Sequence, residues 1–202
     1  KGAIGFGFPT IATPILALFL EPRTAIVILI LPNIVFDGIQ AIRKPGLADT
    51  LKRHWVLYLC GIGGTFLGTQ VLVRVSSQKL LLILGAFVLV FVAVNVSRVS
   101  FRVPPGLERY LSPPIGLFAG VLGGVTNVPG LPLVLYFYAL GMGKDEFIRS
   151  IAFSFLVYKG AQLASVLYFG LLTWPLFGLS VLATAPALGI FWLGLKTQDR
   201  VD

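Results

Sequence analysis

The sequence predicts an all-α, polytopic membrane protein made of two inverted repeats. Three observations carry that prediction. Of the 202 residues, 56% are apolar and only 12% charged, with a mean hydropathy of +0.92. A soluble domain carries about 25% charged residues, so soluble enzymes, nucleic-acid binders and disordered chains fit poorly. Several stretches are apolar over the roughly 20 residues that a bilayer-crossing helix needs. Each half also opens on a stretch too rich in Pro and Gly for one continuous helix.

In chain order, residues 2–20 come first, with Gly5, Gly7, Pro9 and Pro14. They predict two short half-helices around an irregular centre. In a membrane such backbone survives only when buried in protein or lining a cavity. Glu21-Pro22 reads as a helix start, with proline in the first turn and an acid at the positive end of the dipole. Residues 24–42 form a span interrupted by Asp37 and a few polar residues such as Gln40. A linker at 44–53 leads to two uncharged spans, 55–73 and 80–97. The longest linker, 98–113, contains an amphipathic surface turn at 106–111. The second broken segment is 115–141, with Gly123-Gly124, Pro129-Gly130 and Pro132. Residues 147–169 are broken only by Arg149 and Lys159, and 171–195 carry no charge.

The halves follow one plan, so residues 1–100 are read as a first repeat, 113–202 as a second and 101–112 as the linker. Gly5 and Pro14 match Gly123 and Pro132 at the same separation, and Asn33 and Asp37 fall opposite Tyr158 and Gln162. By its own repeat the second half lacks a last span, and the first broken segment lacks its opening half. The missing initiator methionine agrees that this is part of a longer protein.

Charge bias selects the topology. The net charge is +8, and basic residues collect in cytoplasmic loops. If each broken segment crosses once, the Lys and Arg residues divide eight to seven, with Lys159 left inside the membrane. If each is re-entrant, eleven from Arg43 to Arg200 share one face, against Lys1, Arg23, Arg74 and Lys79 on the other. Half-helices of about 10–14 residues are also too short to cross alone. Three crossings per half then invert the repeats, as in secondary transporters with broken helices near the midplane.

The candidate site follows from helix-end chemistry. Helix N-termini offer free N–H groups and partial positive charge. The distal half-helices are expected to begin near Thr13-Pro14 and Gly130-Leu131-Pro132, with the two tips cradling one anion. Thr10, Thr13, Thr126 and Asn127 add hydroxyl or amide donors, and Gly130 admits close backbone approach. Ordinary helix capping is the alternative. Asn33, Asp37 and Gln40 share one helical face, and Tyr158 and Gln162 another, with Lys159 and Ser154 nearby. Intramembrane ionisable groups are functional candidates. Asp37 is the candidate coupling group, unless it snorkels toward the interface near Arg43. Lys159 attracts the anion or pairs with Asp37, and Arg149 reads as an interfacial charge. Gly64-x3-Gly68 and Gly116-x3-Gly120 have helix-packing spacing. His54 and Trp55 read as span-end residues, and Cys60 as an inert buried thiol. One Cys and one His exclude a disulfide or a Cys/His metal cluster, and no cofactor is expected. The absence of a nucleophile–base pair or phosphate loop argues against an enzyme.

Two segments carry a family resemblance: GFGFPTIATP at 5–14 and GVLGGVTNVPGLPLVLYFYALGMGKDEFIRS at 120–150. Across essentially its whole length the chain resembles the TauE/SafE group of sulfite and organosulfonate exporters. Phe6 and Phe8 stand where that group often has an all-Gly turn, which bears on substrate more than on fold. The resemblance implies a carrier that exports small sulfur-containing anions; two inverted halves suit alternating access, and Asp37 is the group that could carry a coupling proton. It implies a bacterial inner membrane location with basic loops in the cytoplasm. The partners expected are a small anionic substrate, the lipid bilayer and a second copy of the chain, and no nucleic acid. The alternatives are an importer of another anion, such as a carboxylate, or a non-transporting scaffold.

Overall fold

The computed structural model describes residues 8–43, 45–97, 102–104 and 106–198. Among them the chain forms α1 (Phe8–Ala17), α2 (Pro22–Ile28), α3 (Ile30–Ile42), α4 (Leu47–Arg74), α5 (Ser77–Val96), α6 (Glu108–Thr126), α7 (Gly130–Ala139), α8 (Lys144–Tyr168) and α9 (Trp174–Gln198), and no strand. Five stretches are long and apolar enough to cross a membrane: residues 22–42, 47–74, 77–94, 144–168 and 174–196. They correspond to the five expected spans.

Local chemistry sets the boundaries. At α2, Glu21 Oε2 accepts the Thr24 N–H at 3.1 Å, and Pro22 takes the first turn, where its missing N–H has no helical partner. The first span bends at Leu29, between α2 and α3. Pro32 brings no N–H to the Ile28 carbonyl, and the Ser180 hydroxyl on α9 donates to that oxygen instead, at 2.6 Å. The linker expected at 44–53 is mostly helix. The first turns of α4 carry Asp49, Lys52 and Arg53, so apolar run length alone misses them. Gly46 makes the turn with φ of 101°, a conformation open to glycine.

The second broken segment also differs from expectation. Gly123-Gly124 does not break the helix; both glycines lie inside α6. They belong to a seam between α4 and α6. A Cβ on Gly116, Gly120 or Gly124 would fall 2.3, 2.2 or 2.5 Å from the carbonyl oxygen of Leu57, Gly61 or Thr65. Gly64 and Gly68 meet the Leu117 and Val121 oxygens in the same way. The two helices run parallel with their backbones in contact, as the small-residue spacing predicts. The break falls at Asn127–Pro129. Pro129 has no N–H and biases Val128 away from helix. Asn127, at φ of 70°, tolerates the left-handed turn, and its N–H bonds to the Gly123 carbonyl at 2.9 Å. At 19 residues α6 exceeds the expected half-helix, whereas α1 and α7 have 10 each.

α6 and α7 leave and return at one end of the bundle. The Val103 N–H donates to the Ala139 carbonyl at 2.9 Å, and the Tyr136 and Ser112 hydroxyls lie 2.7 Å apart. Arg53, near the start of α4, grips Glu108 of α6 with two bonds of 2.9 Å and Glu146 of α8 with one of 2.8 Å. At the far end, Arg23 donates to the Leu72 carbonyl at 3.1 Å, and Leu171 packs on the cluster of Ile26, Leu72 and Leu80. α1 leads to that far end, where Ala17 meets Ala25 and Leu84. Thus α1 and α7 run to opposite ends. In a Cys60→Ser background, single cysteines at 106 and 143 are expected to label from one side of a sealed membrane. Cysteines at 77 and 172 are expected to label from the other. Opposite-side labelling of 106 and 143 would overturn this arrangement.

α5 and α9 form the periphery. Only 17% of each apolar window is buried, and Leu82, Leu89, Ile190 and Leu193 face outward. Exposed apolar surface on this scale belongs against lipid. The chain is an integral membrane protein.

Candidate anion site

The break at Asn127 sets polar groups inside the apolar bundle. Asn127 is fully buried, and its Nδ2 donates to Thr13 Oγ1 of α1 at 3.3 Å. Its Oδ1 accepts from the ammonium of Lys159 on α8. Lys159 also donates to Gln162 Oε1 at 2.6 Å. Gln162 Nε2 lies 3.2 Å from the carbonyls of both Gly123 and Gly124, in the last turn of α6. The Gly123 carbonyl already accepts the Asn127 N–H; at Gly124, in the last turn where helical donors run out, Gln162 supplies one. Thr126 Oγ1 donates to the Leu122 carbonyl at 2.7 Å and accepts the Val128 N–H at 3.2 Å. It therefore shapes the break itself.

α7 begins at Gly130, as expected. The N–H groups of Gly130 and Leu131 have no helical acceptor, and Pro132 has none to satisfy. A Cβ on Gly130 would lie 3.3 Å from Phe155 Cζ, so glycine keeps this start tight against α8. The result is a helix N-terminus beside a lysine that is 1% exposed. Burying an ammonium costs several kcal/mol unless charge and hydrogen bonds compensate. Two of the groups holding this one are neutral amide oxygens.

The other candidates are distributed unevenly. Thr13-Pro14 lies within α1, which already spans Phe8–Ala17, and does not start a helix. Pro14, in the interior of this short helix, leaves the Thr10 carbonyl without a helical donor. Thr13 reaches the break, while Thr10 is half-buried one turn earlier. Gly5, Phe6 and Gly7 lie outside the described residues, as do Lys1, Lys44, Arg98 and Arg200. Phe8 meets Phe36 edge-on at 5.3 Å, and Phe36 stacks on Phe191 at 4.8 Å.

Asp37 does not snorkel. It is fully buried on α3 with Asn33 and Gln40. Packing of α3 against α8 and α9 closes that face from solvent. Asn33 Nδ2 donates to its own helix, at the Leu29 carbonyl, 2.7 Å away. Tyr158 leans the other way from Gln162: its hydroxyl donates to the Leu57 carbonyl of α4 at 3.1 Å, with the ring against Gly61. Of that pair, Gln162 reaches the break. Arg149 donates to Thr50 Oγ1 at 2.9 Å and to the Pro45 carbonyl at 2.6 Å, clamping the α3–α4 turn. It lies ten residues, about 15 Å of helix, from Lys159. His54 is buried near the start of α4, at that end of the bundle, and Cys60 is half-buried.

Sequence reasoning missed Ser180, which completes the bend at Leu29, and the Arg53–Glu108–Glu146 bridge. Acids in the first turns of α6 and α8 were a visible signal for the bridge. Nothing in the sequence marked Arg53 as their common partner.

The family described as Sulfite exporter TauE/SafE matches residues 1–202, the whole chain. No curated protein and no solved structure matches it. An all-helical chain with five membrane-length apolar helices and a full-length match has one assignment: it belongs to the TauE/SafE sulfite exporter family of membrane transporters.

Proposed function

We propose that the protein exports sulfite or a related small organosulfonate by proton-coupled alternating access. The observation that carries this reading is the buried Lys159 held by Asn127, next to the start of α7 and bonded through Asn127 to Thr13. A fixed cation and free backbone N–H groups suit a small oxyanion. Asn127 and Gln162 fix the ammonium through their amide oxygens, close to the start of α7. Thr10, Thr126, Gly130, Asn33, Tyr158 and Gln162 complete the proposed binding region, and Asp37 carries the coupling proton.

Two inverted repeats, residues 1–100 and 113–202 joined by 101–112, give the moving halves. The opposite exits of α1 and α7 support that division. A bacterial inner membrane with the Arg53 end in the cytoplasm fits the positive-inside rule. The outward apolar faces of α5 and α9 meet lipid or a second copy of the chain.

Vesicle flux tests this. Sulfite movement is expected to respond to a pH gradient in the parent protein. Asp37→Asn should abolish that response, and Thr126→Val should slow flux by about tenfold, the equivalent of one lost buried hydrogen bond. Flux unchanged in both variants would sink the mechanism.

A further inference from the structure

At the Arg53 end, one buried group stands apart from the anion site. His54, the sole histidine, is 1% exposed, and neither ring nitrogen has a hydrogen-bond partner among the described residues. Its backbone, at φ of −111° and ψ of 18°, is the non-helical point inside α4. His54 Nδ1 lies 3.5 Å from Glu108 Oε1. Glu108 also lines an open cleft of 640 Å³, with Arg53, Trp55, Arg109 and Ser112. One turn further along α4, the Tyr58 ring centroid is 6.4 Å from that of His54. The Ser150 hydroxyl is buried and lacks a partner among the described residues, and the buried Tyr58 hydroxyl faces Ser154. Tyr58 packs in one cluster with Ile151, Phe155 and Tyr158 of α8. On that helix Ser150, Ser154, Tyr158 and Gln162 follow at four-residue intervals, all buried, and Gln162 holds Lys159.

A buried polar atom without a partner costs about 1–3 kcal/mol, and folded proteins keep few of them. Here they gather between a solvent-open carboxylate and a file of hydroxyls. Such a seam suits bound water, and the regular helix is interrupted at His54 beside it. Imidazole accepts a proton on one nitrogen while releasing another from the second.

We propose that His54 is a proton relay between the Glu108-lined cleft and the hydroxyl file of Tyr58, Ser150 and Ser154. The proposal rests on the proton-coupled reading above. A proton entering from the cleft binds Nδ1, where the Glu108 carboxylate held by Arg53 faces the imidazolium that forms. The imidazole passes a proton from Nε2 to water held by the hydroxyls, and tautomer exchange resets the ring. One proton enters and one leaves, so no charge accumulates. The titratable and charged groups around the ring are Glu108 of α6, Arg53 and Tyr58 of α4, and Glu146 of α8, which reaches Arg53. α7 contributes the apolar Phe137, with ring centroids 5.1 Å apart.

The test uses the full chain in sealed vesicles with sulfite as probe. His54→Phe is expected to cut pH-gradient-driven flux by about tenfold or more, the low end of a general acid–base contribution. Sulfite counterflow without a gradient should stay within about twofold of the parent, because the anion site is untouched. If His54→Phe does not fold, His54→Gln carries the same expectation. Gradient-driven flux near the parent level in the folded variant overturns the relay and leaves export standing. Parent flux that ignores the pH gradient overturns the relay and the coupled reading together.

Discussion

Replacing Gly120 with alanine is expected to leave little or no folded protein. The added Cβ would sit 2.2 Å from the Gly61 carbonyl oxygen and 2.9 Å from the Thr65 nitrogen. Both obstacles are backbone, so no rotamer change relieves them. α4 and α6 would have to separate along a seam that five glycines keep tight. Overpacking costs about 1–3 kcal/mol where side chains can yield; here about 3 kcal/mol or more is expected. That is a large part of a marginal total stability. The loss should appear as a collapsed melting transition and loss of the monodisperse peak in detergent. Gly63→Ala supplies the control on the same helix. No atom lies within 4 Å of its added Cβ, so its melt should match the parent or rise slightly. Equal melts for the two variants would refute close α4–α6 packing.

The same glycines mark how far the sequence can be read. Gly64-x3-Gly68 and Gly116-x3-Gly120 were legible as packing signals, because that spacing lines one helix face. Gly123-Gly124 was misread as a breaker. In isolation two glycines weaken a helix, but the α4 backbone against Gly124 rewards a residue with no side chain. The partner that decides the matter is about sixty residues away, which local propensity does not see. The break was still legible from Pro129, whose effect is local. Spans were found through unbroken apolar runs, and their ends slipped where charged turns continue a helix, as at Asp49 to Arg53. At the site, Lys159, Gln162 and Asn127 were nameable as polar residues in apolar surroundings. The sequence does not say which of them touch. Tyr158 and Gln162 share a face of α8, yet one meets α4 and the other α6. That difference follows from where α4 and α6 lie around α8, a property of the assembled bundle.

Lys159→Met is expected to separate function from folding at the candidate site. Methionine approximates the length of the lysine stem and removes the ammonium. The Asn127 and Gln162 amide oxygens lose a donor, which costs about 1–3 kcal/mol for each group left unsatisfied. Against this, the protein no longer buries a cation, a burden of several kcal/mol before compensation. The two changes oppose each other, so the melting temperature should move little. Transport should not survive on the same terms. An oxyanion brought to the start of α7 would face helix N–H groups alone, and charge-assisted bonds are roughly twice as strong as neutral ones. A fall in sulfite flux of about a hundredfold is expected, equivalent to roughly 2.7 kcal/mol. Lys159→Arg should also transport poorly, because the planar guanidinium does not reproduce a compact donor wedged between two amides. A lysine that only braced the break would give the opposite pattern, with stability tracking the change and flux following stability. Flux in Lys159→Met within about twofold of the parent, at equal folded yield, would remove the anion from this site.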